Sequence, residues 1–263
     1  MHTAQPAAGQ PAPFDPTRRT ALVTGLLYLV TFLASIPAVF LLAPLLNDPR
    51  YVVGAGVDTQ VGVGAVLDMV NAFACIGTAV AVFSVGRRVH EGFALGFVTT
   101  RLIEAAIISI GVISLLAALT LRSEGVAASD AGAAVLVGRG LVAVRDWTFL
   151  LGPSLMSALN ALMFGTVLYR GRLLPRAIPA IGIIGAPVMI AFVIATMLGL
   201  SEQGSAFNGI AGVFFFIWEL LAGLWMTFRG FNRDAPVVIA AMAEAAHPPI
   251  STAAIPPSIA PAS

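Results

Sequence analysis

The chain has 263 residues, of which 58% are hydrophobic and 10% charged, with a net charge of +1 and a mean hydropathy of +0.93. A water-soluble domain carries about 25% charged residues, so this composition excludes an ordinary soluble globule and makes the lipid bilayer the chain's natural solvent. The weak net charge offers no basic field to nucleic acid. All 14 basic residues are arginine, so the lysine of a Walker-A loop, a Schiff base or a pyridoxal phosphate site is missing.

Residues 1–17, with Pro6, Pro11, Pro13 and Pro16, predict a disordered cytoplasmic tail. Arg18 and Arg19 then precede an apolar run of about 26 residues, too long for a signal peptide's apolar region, so the pair reads as a positive anchor rather than a twin-arginine signal. Predicted spans follow at 21–46, where Pro37 is a candidate kink, at 61–85 and at 93–121. Residues 131–169 are apolar almost throughout. As one straight helix they would run about 58 Å, about twice the hydrocarbon thickness. The segment therefore divides into an outer-face interfacial helix over 129–145, broken or bent near Gly138 and Gly140, and a fourth span over 147–169. Asp146 supplies the carboxylate that suits the start of that span, with Trp147 beside it at the interface. The fifth and sixth spans cover 177–200 and 207–228. Residues 233–263 are rich in Ala and Pro and predict a second disordered cytoplasmic tail, in which "VVIAAMAEAA" (237–246) is the stretch able to form a short helix. The fold expected is all-α, a polytopic membrane bundle of about six transmembrane helices occupying residues 18–232.

Arginine placement sets an orientation. Arg18, Arg19, Arg87, Arg88, Arg170, Arg172, Arg176, Arg229 and Arg233 fall on one side, and Arg50, Arg122 and at most Arg139 and Arg145 on the other. The positive-inside rule then places both termini in the cytoplasm, which an even number of spans requires, and the composition suits a bacterial inner membrane.

Polar residues recur at helical spacing within the spans: Thr24, Tyr28, Thr31 and Ser35; Gly64, Asp68, Asn71, Cys75 and Thr78; Ser154, Ser157 and Asn160; Asn208, Gly212, Glu219 and Gly223. Such stripes either pack helices closely or line a common interior. Charges in that interior are more informative, because one at the bilayer centre costs about 2.5–3.5 kcal/mol even on the lenient insertion scale. Arg101 and Glu104 are three residues apart and share a helix face, Glu219 falls at comparable depth, and Asp68 lies nearer the outside but within reach across helices. One arginine against three carboxylates leaves the expected cluster of Arg101, Glu104, Glu219, Asp68, Asn71 and Asn160 net negative by two. With one cysteine, three scattered histidines, no His-Glu-x-x-His and no Gly-x-Ser-x-Gly, neither a metal nor another cofactor is expected.

Three segments, "RLIEAAI", "DWTFLLGPSLMSALNALMFGTVLYRGRLLPR" and "WELLAGLWMTFRGF", resemble the bacterial membrane family called domain of unknown function 4386. The resemblance covers roughly residues 18–232. It implies that Arg101, Glu104, Asp146, Trp147, Asn160, Pro175 and Glu219 are recurring family features. The residue before the Asp-Trp pair is often histidine in the family. Here it is Arg145, so any role for that histidine is absent. The family implies a multi-pass topology and no particular activity.

Three functions remain open on these grounds: a non-catalytic protein for assembly, stress response or sensing, in which the Arg-Glu cluster fixes helix register; a small proton- or cation-coupled transporter using Arg101, Glu104 and Glu219; and a membrane-embedded enzyme with Asp68, Glu104 or Asp146 as acid or base. Another membrane protein, a second copy of the chain, a small molecule or an ion are the partners each would require.

Overall fold

In lipid every backbone N–H and C=O must be satisfied within the chain, which favours helices over any open structure. The computed structural model describes residues 15–54, 56, 58–123, 130–202 and 206–246, with side chains from 212 onward in the last segment, and every regular element among them is helical. Helix α1 is Arg18–Asn47 and runs unbroken through Pro37 and Pro44. Asp58–Ser123 is a pair of helices, α2 (58–89) and α3 (91–123), separated only at His90, whose backbone is extended at φ −161° and ψ 107°. The His90 imidazole Nδ1 accepts the Phe93 N–H at 3.3 Å and so caps α3. The connection expected over several residues is thus a single-residue hinge. Next come α4 (Ala131–Phe149), a π-helical segment (Leu150–Met156), α5 (Ser157–Arg170), α6 (Ala177–Met197), α7 (Ala206–Phe228) and α8 (Pro236–Ala246).

The segments Arg18–Asn47, Asp58–Ser123, Ala131–Arg170 and Ala177–Met197 are each long and apolar enough to cross a bilayer, and the second does so twice. The 23 residues of α7 extend about 34 Å and supply the sixth pass. Large side chains such as Leu33, Phe40, Phe73, Ile113 and Ile184 stand exposed on the outer faces, where lipid covers them. The chain is an all-α membrane bundle.

Two expectations change. The interfacial helix over 129–145 is not separated from the fourth span, and neither Gly138 nor Gly140 breaks it. Its start is set by Asp130, whose carboxylate accepts the Ala133 N–H at 3.0 Å, so the helix-start role expected of Asp146 and Trp147 falls to Asp130. The helix is supported from the side along its course, by Val52 of the α1–α2 connection at Gly138 and by α3 from Thr148 onward, where Thr148 lies against Gly111, Gly152 against Ile107 and Met163 against Gly96. That lateral support is why it does not break where length alone suggested. Secondly, α8 extends the folded body beyond residue 232. Ala235 and Val238 are fully buried, and the Arg88 guanidinium pairs with Glu244 at 2.9 Å. The expected disordered stretches 1–14 and 247–263, and the Asn208 side chain, lie outside the described residues.

Arginines close the helix ends. Arg18 donates to the Met226 and Thr227 carbonyls at 3.1 and 2.7 Å, neutralising the C-terminal turn of α7. At the other end Arg122 donates to the carbonyls of Tyr51 and Gly56, pairs with Asp58 at 3.2 Å and covers the Tyr51 ring. Between these ends α1 and α7 touch through glycine. A Cβ on Gly25 would stand 2.5 Å from Thr227 Oγ1, 2.6 Å from Thr227 N and 2.8 Å from the Gly223 carbonyl. Gly25→Ala should therefore destabilise the bundle by about 1–3 kcal/mol, read from thermal unfolding in detergent. Gly62→Ala, which meets nothing within 4 Å, should be close to neutral.

Candidate functional site

The polar stripes meet where the six helices enclose the middle of the bundle. On α3, Arg101 and Glu104 lie one helical turn apart, and Arg101 Nη1 contacts Glu104 Oε2 at 3.0 Å. From α7, Glu219 Oε1 receives Arg101 Nη2 at 3.4 Å. From α2, the Cys75 sulfur takes a second contact from Nη1 at 3.3 Å. The guanidinium is seated on two rings, 5.0 Å from the Tyr28 centroid and 5.6 Å from that of Phe97. Glu104 receives the remaining donors: Asn160 Nδ2 at 2.6 Å to Oε2 and Ser157 Oγ at 3.2 Å to Oε1. Thr100 in turn donates to Asn160 Oδ1, fixing which end of that amide faces Glu104. Arg101 and Glu104 are 2% and 3% exposed, so the pair is shielded from bulk solvent.

The π-helical segment next to these donors has a local cause. Pro153 has no N–H to give the Phe149 carbonyl and its ring crowds that turn, so the helix widens there. Ser154 Oγ reaches the Phe149 carbonyl at 3.5 Å as a partial replacement. Gly152 keeps the widened turn close to α3, where a Cβ would stand 3.1 Å from Ile107.

A second ion pair lies toward the Tyr51–Arg122 end. Arg145 of α4 donates from Nη2 to Asp68 Oδ2 of α2 at 2.7 Å, and the two residues are 7% and 5% exposed. Its close approach depends on Gly111, where a Cβ would meet Thr148 Oγ1 at 2.6 Å and Arg145 Cδ at 3.2 Å. Asp68 therefore does not join Arg101. Arg145 is also no surface anchor, and only Arg50, Arg122 and Arg139 remain as candidates for that side of the arginine count. The interior now holds two arginines (Arg101, Arg145) against three carboxylates (Asp68, Glu104, Glu219), net negative by one rather than two when all are ionised.

The pairs do not fill the space between them. Both line one cavity of about 190 Å³, together with Asn71 and Cys75 on α2, Thr31 and Ser35 on α1, and Ser157 on α5. Glu219 is the carboxylate most open to it, at 15% side-chain exposure. At about 30 Å³ per water, the cavity has room for about six. Asn71 faces the cavity between the two pairs, while Asp146 and Trp147 stand apart: Asp146 lines a separate cavity toward the Tyr51–Arg122 end and Trp147 is 46% exposed.

Sequence reasoning missed Arg145, and its signal was an arginine at position 145 inside an apolar run that is in fact one helix. Tyr28, Cys75 and Ser157 had been placed on polar stripes without a role. Among the described residues, no group of three or more His, Cys, Asp or Glu side chains is placed to hold a metal ion.

A family model matches residues 23–230, the stretch that holds the six-pass bundle and its central charges. The chain belongs to the family of the domain of unknown function DUF4386. The DUF4386 match takes in both buried ion pairs and stops short of α8. No curated protein and no solved structure matches the chain.

Arg101→Met would leave Glu104 and Glu219 buried without their cation and should cost about 3–5 kcal/mol in thermal unfolding. Arg88→Ala breaks a pair whose side chains are 44% and 64% exposed and should cost less than about 1 kcal/mol.

Proposed function

We propose that this DUF4386 protein binds a proton or small monovalent cation at Glu219 and carries it across the membrane. The observation that supports this reading is the cavity: the charged groups line open space at mid-bundle and carry one carboxylate in excess of their arginines. Ion pairs whose only task was to fix helix register would gain from being packed shut, since cavity space forfeits van der Waals contact. Intramembrane carboxylates facing a water-sized space are the usual positions of proton and ion paths. A monocation at Glu219 leaves the interior neutral. Arg101 acts as the fixed counter-charge of Glu104 while Glu219 is loaded and released, and Asn71 and Ser157 offer neutral oxygens along the wall.

The assembly or sensing reading draws on a different observation, the dense contacts of Arg101 with Glu104, Glu219, Cys75, Tyr28 and Phe97, which are those of a structural staple. The arginine-rich end, with Arg18, Arg88 and Arg170, is assigned to the cytoplasm of a bacterial inner membrane by the positive-inside rule, with both termini on that side.

In proteoliposomes with an entrapped pH-sensitive dye, the wild-type protein should dissipate an imposed proton or sodium gradient faster than protein-free vesicles do. Glu219→Gln should return the rate to the protein-free level. Equal rates for wild type and Glu219→Gln, or no flux with wild type, would sink the carrier reading in favour of the staple.

A further inference from the structure

Two cavities follow one another along α1, with the Asp68–Arg145 pair and the buried side chains of Leu42 and Leu115 between them. The central cavity touches α1 at Thr31, Ser35 and Val39. An outer cavity of about 210 Å³ begins at Leu45 and continues past Tyr51. The six-residue step from Val39 to Leu45 is about 9 Å of helix. Helix α4 borders both spaces: Arg145 and Phe149 line the central one, and Val142 and Asp146 the outer one. On α4 the boundary between them falls at Arg145, which pairs with Asp68 of α2.

The opposite end of the central cavity is closed by Arg101, which rests on a stack of rings beneath it. The rings of Tyr28, Phe164 and Phe97 stack in series, at centroid distances of 6.1 and 4.6 Å, and each residue is 1% exposed. Arg101 sits on this stack, tied to Glu104, Glu219 and Cys75. Arg145 is held by one oxygen of Asp68 and by the Phe149 ring at 5.3 Å.

The attachment of α4 permits movement. Beyond the π-helical segment, α5 is anchored to Glu104 through Ser157 and Asn160. Before it, α4 is joined to α2 through Arg145, to α3 through Thr148 against Gly111, and to Val52 at Gly138. Between them lies Leu150–Met156, where Pro153 interrupts the hydrogen-bond ladder. Helices bend at prolines and π-turns, because there the ladder resists least.

We infer that α4 is the outer gate of the central cavity: tilting at Leu150–Met156 parts Arg145 from Asp68 and joins the two cavities, while the Arg101 end stays closed on its Tyr28–Phe164–Phe97 stack. This rests on the carrier reading and adds the side from which the site loads, the Tyr51–Arg122 end. The gate exposes Glu219 to that end without disturbing Arg101.

Cys75 is the single cysteine of the chain and lines the central cavity, so its labelling reports access directly. A membrane-impermeant cationic methanethiosulfonate would be applied to either face of oriented vesicles holding wild type, Arg145→Met, Asp68→Asn or the paired Arg145→Met/Asp68→Leu. Loss of the gate pair should speed labelling from the outer face by at least about tenfold, with the rate from the arginine-rich face unchanged. An unchanged outer rate, or an equal rise from both faces, overturns the gate. Wild type supplies a readout that needs no variant: amides of Ala131–Phe149 should exchange with deuterium faster than those of Ser157–Arg170, and equal protection of the two segments also overturns it. Neither measurement involves flux or loading of Glu219, so gate and carrier fail separately.

Discussion

A buried arginine between two carboxylates is the constraint around which this bundle is arranged. Arg101 is 2% exposed in an apolar interior, and a guanidinium keeps its charge at any ordinary pH. The fold must therefore deliver opposite charge and hydrogen-bond acceptors to it from several helices at once. Glu104 comes from its own helix at i+3, Glu219 from α7 and Cys75 from α2, with the Tyr28 ring of α1 beneath. Those demands fix the depth and rotation of four helices. The Gly25–Gly223 approach of α1 to α7 and the Gly111 approach of α4 to α3 follow, because ordinary side chains there would hold the helices too far apart for the charged groups to meet.

The same constraint explains the long helix. Its two halves serve two ion pairs at different depths: Arg145 reaches Asp68 from one half, and Ser157 and Asn160 reach Glu104 from the other. A regular α-helix keeps residues in step at 3.6 per turn. The π-helical segment at Leu150–Met156 changes that step between Arg145 and Ser157. Proline in the segment costs a backbone hydrogen bond, which the Ser154 hydroxyl partly replaces.

Much of this was legible in the sequence. Hydropathy located six passes to within a few residues at most ends, and helical spacing put Asp68, Asn71, Cys75 and Thr78 on one buried face of α2. The i, i+3 spacing paired Arg101 with Glu104, and equal depth brought in Glu219. What remained hidden was relational. Nothing local says that Asp68 pairs with Arg145 on α4 rather than with Arg101, since that depends on the register of α3 against α4 set by Gly111 and Thr148. The 131–170 segment was divided because its length exceeds a bilayer, and length was the wrong criterion for a helix supported along its side by Val52 and α3. The burial of α8 through Ala235 and Val238 was likewise invisible in an Ala-rich composition that also suits a disordered tail.

The central claim is that the mid-bundle charges set how the helices meet and serve a site, without adding net stability to the fold. Replacing all three by Arg101→Met/Glu104→Gln/Glu219→Leu removes the charges yet keeps an amide oxygen at 104 for Ser157 and Asn160. Thermal unfolding of this triple variant in detergent tests the claim most directly. The account predicts stability equal to or above wild type, because uncharged replacements escape the desolvation cost of a buried ion triad. A loss as large as that of Arg101→Met alone would contradict it and make the cluster the staple of the bundle.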